Sequence, residues 1–312
     1  MKHRLLAAAA AFAFSLPLAA QEASPPPSPG EIAAAAPASD WVAIPASDLL
    51  VMDLVPDAAG KARRVVIQLM PAPFSQGWIG NIRKLAAAHW WDGTSVNRVQ
   101  DNYVVQWGDA TEKKALPEGL AVLPESAYVA PEPEDAFLPL FQVNDPYAGA
   151  ITLYKGWPLG VGPVDPEDFN KGQIYWPLHC YAMVGVGRNM SPDTGSGAEL
   201  YTVIGQAPRH LDRNIAVVGR VISGIEHLSS LPRGTGALGF YEKAEERVPI
   251  KSIRLATELP AAEQPSFEYL SNESDSFAKY ADARENRRDP FFIRPAGGAD
   301  ICNIPVPVRA AK

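Results

Sequence analysis

The chain has 312 residues, 47% of them hydrophobic, and a formal net charge of −7. That length and apolar content suit one large domain or two small ones with a real core. The acidic balance argues against a general nucleic-acid binder, which would show a basic face.

The first residues set the compartment. Lys2, His3 and Arg4 precede the apolar run LLAAAAAFAFSLPLAA, which ends in small residues before Gln21. This pattern predicts a secretory signal peptide over 1–20, cleaved near Ala20, and so a periplasmic or secreted protein. The run is too short for a stable membrane span, and no later run is long enough. Residues 21–40, QEASPPPSPGEIAAAAPASD, are rich in Pro, Ala and Ser and read as a disordered linker.

Ordered structure is expected from Trp41. Asp48 to Leu54 is the clearest part of a first strand, and ARRVVIQLMPAP is a second, stopped by proline. Trp78, Ile82 and Leu85 recur at helical spacing, with Ser75 as a plausible cap. A turn at Asp92–Thr94 leads into strands around Val96–Val99 and Tyr103–Gln106. Residues 110–178 hold ten of the thirty prolines and read as an excursion with little regular structure. Phe137, Phe141, Tyr154, Trp157 and Trp176 argue that it packs on the surface. Strands then follow in YAMVGVG, AELYTVIG, IAVVGRVI and VPIKSIRLA, with a short helix in GIEHLSSL. Phe267, Leu270, Phe277 and Tyr280 fit a C-terminal helix before an irregular tail. Many short strands with a few helices predict a closed β-barrel with helical plugs over 41–260, and 261–312 as a helix and tail packed on it.

Several chemistries lack their signatures. VGVGRNMSPDTGSG has neither the GxxxxGK[ST] pattern nor a strand–loop–helix setting, and reads as a turn-rich loop. The five histidines have no ligand spacing, so no metal is expected. His210 lies near Asp212, but no GxSxG elbow supports a hydrolase. The only two cysteines, Cys180 and Cys302, are expected to pair in an exported protein and to tie the tail to the body.

Arg98 sits in a β-run between Val96 and Val99, where solvent exposure alone would explain it. Its surroundings add more. VNRVQDNYVVQWGD resembles the cyclophilin signature, in which Phe-His-Arg-Val precedes Phe-Met-x-Gln-Gly-Gly-Asp at this spacing. The likeness extends over Lys61 to Leu255, interrupted by the proline-rich excursion. DNYVVQWGD and IGQAPRHLDRN are similar to an exported bacterial branch of cyclophilin-type peptidyl-prolyl isomerases.

The resemblance implies a mainly β fold: a cyclophilin-like closed barrel of about eight antiparallel strands capped by two helices. It places Arg98 at the essential arginine, Tyr103 at the phenylalanine walling the proline pocket, and Val104 at a methionine. Gln106 matches the glutamine that bonds the substrate backbone. Met183, Val184 and Gly185 fall on the strand that pairs with the peptide. Glu199 stands near a second glutamine, Tyr201 near a second pocket phenylalanine, Leu211 at a pocket leucine, and His210 where many members carry tryptophan. Asn214 or Ile215 lies nearest the last pocket histidine. Val96 and Asn97 replace Phe-His, so the pocket is altered and more polar at one edge. The implied activity is X-Pro isomerisation on proline-containing polypeptide clients, without a cofactor, by a monomer. A catalytically weak peptide-binding module on the same barrel is the rival reading.

Overall fold

The structure is a computed structural model that describes residues 24–134 and 145–311. The expected signal peptide at 1–20, and Phe137 and Phe141, lie outside the described residues. In chain order the helices are α1 (Pro29–Ala35), α2 (Gln76–Ala87), α3 (Glu226–Ser229) and α4 (Asp275–Glu285). The strands are β1 (Trp41–Ile44), β2 (Leu49–Leu54), β3 (Arg63–Leu69), β4 (Ser95–Val99), β5 (Val104–Gly108), β6 (Ala150–Tyr154) and β7 (Trp157–Pro163). They continue as β8 (Gln173–Pro177), β9 (Met183–Val186), β10 (Leu200–Val203), β11 (Val217–Ser223), β12 (Val248–Leu255), β13 (Phe267–Leu270) and β14 (Val308–Ala310).

Eight of these strands close a barrel in the order β10-β5-β4-β12-β2-β3-β11-β9, as the mainly β reading expected. Alternation decides which side chains enter it. Leu50, Met52, Val65 and Ile67 join the main core, while their neighbours Leu49, Val51 and Val66 form a separate outer cluster. Trp78, Ile82 and Leu85 of α2 are fully buried in the main core, as their spacing predicted.

Four expectations need correction. First, part of the expected linker is ordered. Ser28 and Glu31 form a capping box, Pro29 starts α1, and the alanines that follow are strong helix formers. This helix packs on α4, so the barrel has company beyond two capping helices. Second, the excursion contains the antiparallel sheet β6-β7-β8. Its prolines do not prevent pairing, since Pro163 and Pro177 close their strands. Trp157, Tyr175 and Trp176 anchor it in the main core. Third, Ser75 precedes α2 without a side-chain capping bond, and its hydroxyl donates to the Val217 carbonyl at 2.7 Å. Fourth, Phe267 and Leu270 lie in β13, and the C-terminal helix starts only at Asp275, capped by Ser274.

The two ends of the described chain meet in a sheet of order β1-β13-β14. Its residues Ile44, Phe267, Tyr269 and Val308 cover the outer cluster of β2 and β3. Cys180 and Cys302 are bonded, with their Cα atoms 5.1 Å apart at a sequence separation of 122. The expected bridge thus fastens the tail beside β9.

Candidate active site

The outer face of β4, β5 and β10 carries the site. Along β5, Val105 and Trp107 point into the main core, so Val104 and Gln106 point out. Tyr201 pairs with Gln106 and Val203 with Val104 across β10 and β5, which puts all four side chains on one face. Arg98 needs a further device. Val96 is buried in the core, and strict alternation would send Arg98 there as well. A register shift between Val96 and Arg98 makes Asn97 an extra residue in β4. Such a bulge re-aims the side chain that follows. Arg98 therefore lies opposite Gln106 on the outer face.

Its guanidinium is held from three sides. Nε donates to the Leu238 carbonyl at 2.7 Å, and one terminal nitrogen donates to Gln106 Oε1 at 3.1 Å. The other terminal nitrogen donates to Gln100 Oε1. Tyr103 and Phe240 flank it, with ring centres 5.7 and 5.3 Å from its central carbon. Among the described residues no carboxylate forms an ion pair with it. Burial pushes its pKa down, which Tyr103 and Tyr201 partly oppose; an arginine remains protonated regardless. Among the described residues, three of its five N–H groups are engaged.

Next to Arg98 is a small cavity of about 110 Å³. Tyr103, Val104, Tyr201, Leu211 and Ile215 give it apolar walls, and Arg98 and Gln106 give it a polar edge. These apolar residues form their own cluster, apart from the barrel core. His210 is exposed and stacks on Tyr103, with ring centres 6.2 Å apart. Glu199 lines an adjoining larger cavity that shares Arg98 and Gln106.

Not every expected residue reaches this face. Met183 and Val184 are packed in the core, and β9 is paired on both edges, with β10 and β11. Neither lines the cavity beside Arg98; Met183 lines a cleft beside the disulfide instead. Gly185 lies under Tyr201, whose hydroxyl would be 2.3 Å from a Cβ there. The β9 end contributes Gly187 and Arg188 to the cavity, which sequence reasoning missed.

A buried chain of polar groups behind the pocket was also missed. His179 Nδ1 lies 2.9 Å from Asp212 Oδ1, and Nε2 lies 2.9 Å from the Tyr201 hydroxyl. An ionised aspartate can only accept, so Nδ1 carries the proton. Asp212 also accepts from Arg209, which forks onto Asp145 at 2.8 and 3.1 Å. Burial holds the Tyr201 hydroxyl far above its ordinary pKa. The HLD triplet hinted at Asp212, but its partner His179 is 33 positions away, and no local spacing could reveal it.

The match to the family described as cyclophilin type peptidyl-prolyl cis-trans isomerase/CLD runs over residues 60–255. The chain belongs to the cyclophilin-type peptidyl-prolyl cis-trans isomerase family. Its reaction is accordingly the cis–trans isomerisation of X-Pro bonds, and its ligands are proline-containing peptides. The crystal structure of cyclophilin AquaCyp293 from Hirschia baltica is similar at TM-score 0.65 and 21% identity, over 87% of this chain and 94% of that one. That likeness supports the fold, including parts outside the residues matched to the family. Two Cryptosporidium parvum cyclophilin type peptidyl-prolyl cis-trans isomerase structures, one in the presence of the dipeptide Ala-Pro, align at TM-score 0.37. They are 11% and 12% identical, over 66% of this chain and 98% and 97% of theirs. No curated protein matches the chain.

Proposed function

We propose that this cyclophilin acts on proline-containing chains folding after export, with Arg98 stabilising the twisted X-Pro amide. Rotation about a peptide bond is slow because resonance gives the C–N bond double character, with a barrier of ~18–20 kcal/mol. X-Pro exchange without a catalyst takes roughly tens to hundreds of seconds. No bond has to break. As the bond twists, the prolyl nitrogen becomes pyramidal and gains a lone pair. A fixed guanidinium donates to that lone pair more strongly in the twisted state than in the planar one, and so lowers the barrier. The apolar walls of Tyr103, Val104, Tyr201, Leu211 and Ile215 hold the proline ring. Gln106 presents one N–H of its amide to the flanking peptide while its oxygen holds Arg98.

One observation carries this reading. Arg98 is fixed by three neutral acceptors at the rim of an apolar cavity, with N–H groups to spare. The disulfide supports an oxidising compartment, and with the N-terminal sequence pattern it supports export to the periplasm or outside. Among the described residues no helix is long and apolar enough to cross a membrane. We take the working unit to be one chain.

Exchange NMR on a short X-Pro peptide tests the reading, with the chain from Gln21 and its Arg98→Ala variant. Acceleration that the variant loses is expected. Peptide-induced shifts without faster exchange would instead support a binding module.

A further inference from the structure

The larger cavity beside the proline pocket, about 650 Å³, has Glu199 in its wall. Two glycines make a seat for this side chain. A Cβ on Gly108 would lie 1.9 Å from Glu199 Oε1. A Cβ on Gly187 would lie 2.9 Å from Glu199 Cβ and 3.5 Å from Gln106 Nε2. Glu199 and Gln106 therefore lie together where any larger residue at either glycine would intrude. The Asp109 backbone N–H donates to Glu199 Oε1 at 2.7 Å. The side-chain amides of Asn97 and Gln106 lie within reach of the carboxylate and favour its charged form. At its other end, Gln106 Oε1 accepts from Arg98 at 3.1 Å.

We propose that Glu199 is a positioning residue whose ionised carboxylate fixes the amide of Gln106, and through it Arg98, so that proton uptake by Glu199 lowers isomerase activity. This rests on the isomerase reading above. The chemistry is simple. An ionised carboxylate only accepts, so it orients the Gln106 amide with nitrogen toward Glu199 and oxygen toward Arg98. A protonated carboxyl becomes a donor on one oxygen. That donor meets the amide nitrogens of Asn97 and Gln106. Asn97 can turn, because its Oδ1 is buried without a partner. If Gln106 turns, its nitrogen faces the Arg98 guanidinium, donor against donor. If it does not, it loses a charge-assisted bond.

The proton equilibrium falls in a useful range. Burial pushes the Glu199 carboxyl up to about 7, against the hydrogen bonds that favour its charge. Among the described residues, the other charged groups lining the cavity are Arg98, Lys114, Arg188, Arg247, Asp109, Glu112 and Asp193, and no histidine lines it. Burial pushes Asp109 up, but N–H donors from Lys114, Thr111 and Lys113 bring it below its ordinary value. Backbone N–H groups of Asn189 and Gly195 do the same for Asp193. The two histidines nearby, His179 under Tyr201 and His210 on Tyr103, belong to the proline pocket.

The test is exchange NMR on an X-Pro peptide from about pH 5.5 to about 8.5, a span around the ordinary histidine range. It uses the chain from Gln21, its Glu199→Gln variant and its His210→Phe variant. The Gln106 side-chain amide shifts are followed in the same samples. Catalysis by the unaltered chain should rise with pH, with a midpoint near 7. The rise should be about tenfold, the worth of one hydrogen bond to a charged group. Glu199→Gln should lose that dependence, and His210→Phe should keep it. The Gln106 amide should titrate with the same midpoint in the unaltered chain. The same pH profile in Glu199→Gln, or a titration seen at Asn97 but not at Gln106, would overturn the proposal. Absence of catalysis at every pH would defeat the isomerase reading, and the Gln106 titration would still decide the role of Glu199.

Discussion

Two outer faces of the same barrel carry the same pair of residues. On one, Arg98 lies opposite Gln106 and donates to its Oε1. On the other, Arg220 lies opposite Gln68 and donates to its Oε1 at 2.9 Å. The sequence gives little reason to treat these arginines differently. Their cover does. Arg220 donates to the Gly156 carbonyl at 2.7 Å and lies over the Trp157 ring, both in the insertion. Tail residues Ile304 to Val306 line the cleft beside it. Burial pushes its guanidinium down to about 10. Arg98 is only half-buried, and the face around it keeps two cavities. An arginine on a strand is thus either fastened under cover or left at a cavity's rim, according to what is laid over it. Among the described residues, the sheet of the insertion and the terminal sheet cover one side of the barrel, while the start of the insertion, from Ala110 to Leu116, only lines the cavity on the other.

Exchanging the two losses is the sharpest way to break this comparison. Arg98→Ala should lower catalysis by about 10²–10³-fold, the usual loss for one donor aimed at a transition state. Its melting temperature should stay near that of the unaltered chain. A variant equally active at equal stability would remove Arg98 from the mechanism. Next in size is the bridge that holds the tail on the covered face. Cys302→Ser should cost about 2–4 kcal/mol in denaturant unfolding, because the bond closes a long loop. No loss would mean that the terminal sheet alone fixes the tail. Arg220→Ala should cost about 2–3 kcal/mol, since it opens a cavity and leaves the Gly156 and Gln68 oxygens bare. Its rate on a short X-Pro peptide should not change, and a drop in rate at full stability would couple the covered face to the site. The smallest effect is expected within the open face. Tyr201→Phe keeps the pocket wall but strips His179 Nε2 of its partner, at about 1–2 kcal/mol. Unchanged stability in thermal unfolding would show that the buried chain does not depend on the hydroxyl.

Local pattern made much of the fold legible. The β-rich runs gave the barrel strands, and the spacing of Trp78, Ile82 and Leu85 gave α2. Composition misled where it stood in for pattern. The proline content of 110–178 hid a sheet whose aromatic side chains do the packing. The alanines of 29–36 read as linker by composition, although Ser28 and Glu31 frame a helix start. At the site, Arg98, Gln106, Tyr103, Val104, Tyr201 and Leu211 were found through the signature, and the structure gathers them on one face. The resemblance places Met183 and Val184 on the strand whose main chain pairs with the peptide, but that strand is paired on both edges and their side chains pack in the core. Arg188 carries no signature, and it reaches the cavity only because β9 ends there.

The sequence by itself determined the family, the strand order within the signature, and the residues proposed to act on an X-Pro bond. It also determined that Cys180 and Cys302 had only each other to bond with. These are properties of residue type and short spacing. The tertiary structure alone decided which arginine stays accessible, that a one-residue bulge at Asn97 turns Arg98 outward, and that Gly108 and Gly187 seat Glu199 against Gln106. It also brought His179, Asp212 and Asp145 into one buried chain. Such facts depend on register and on contacts between distant segments, and burial sets the proton affinity of Glu199 only once those segments have closed around it.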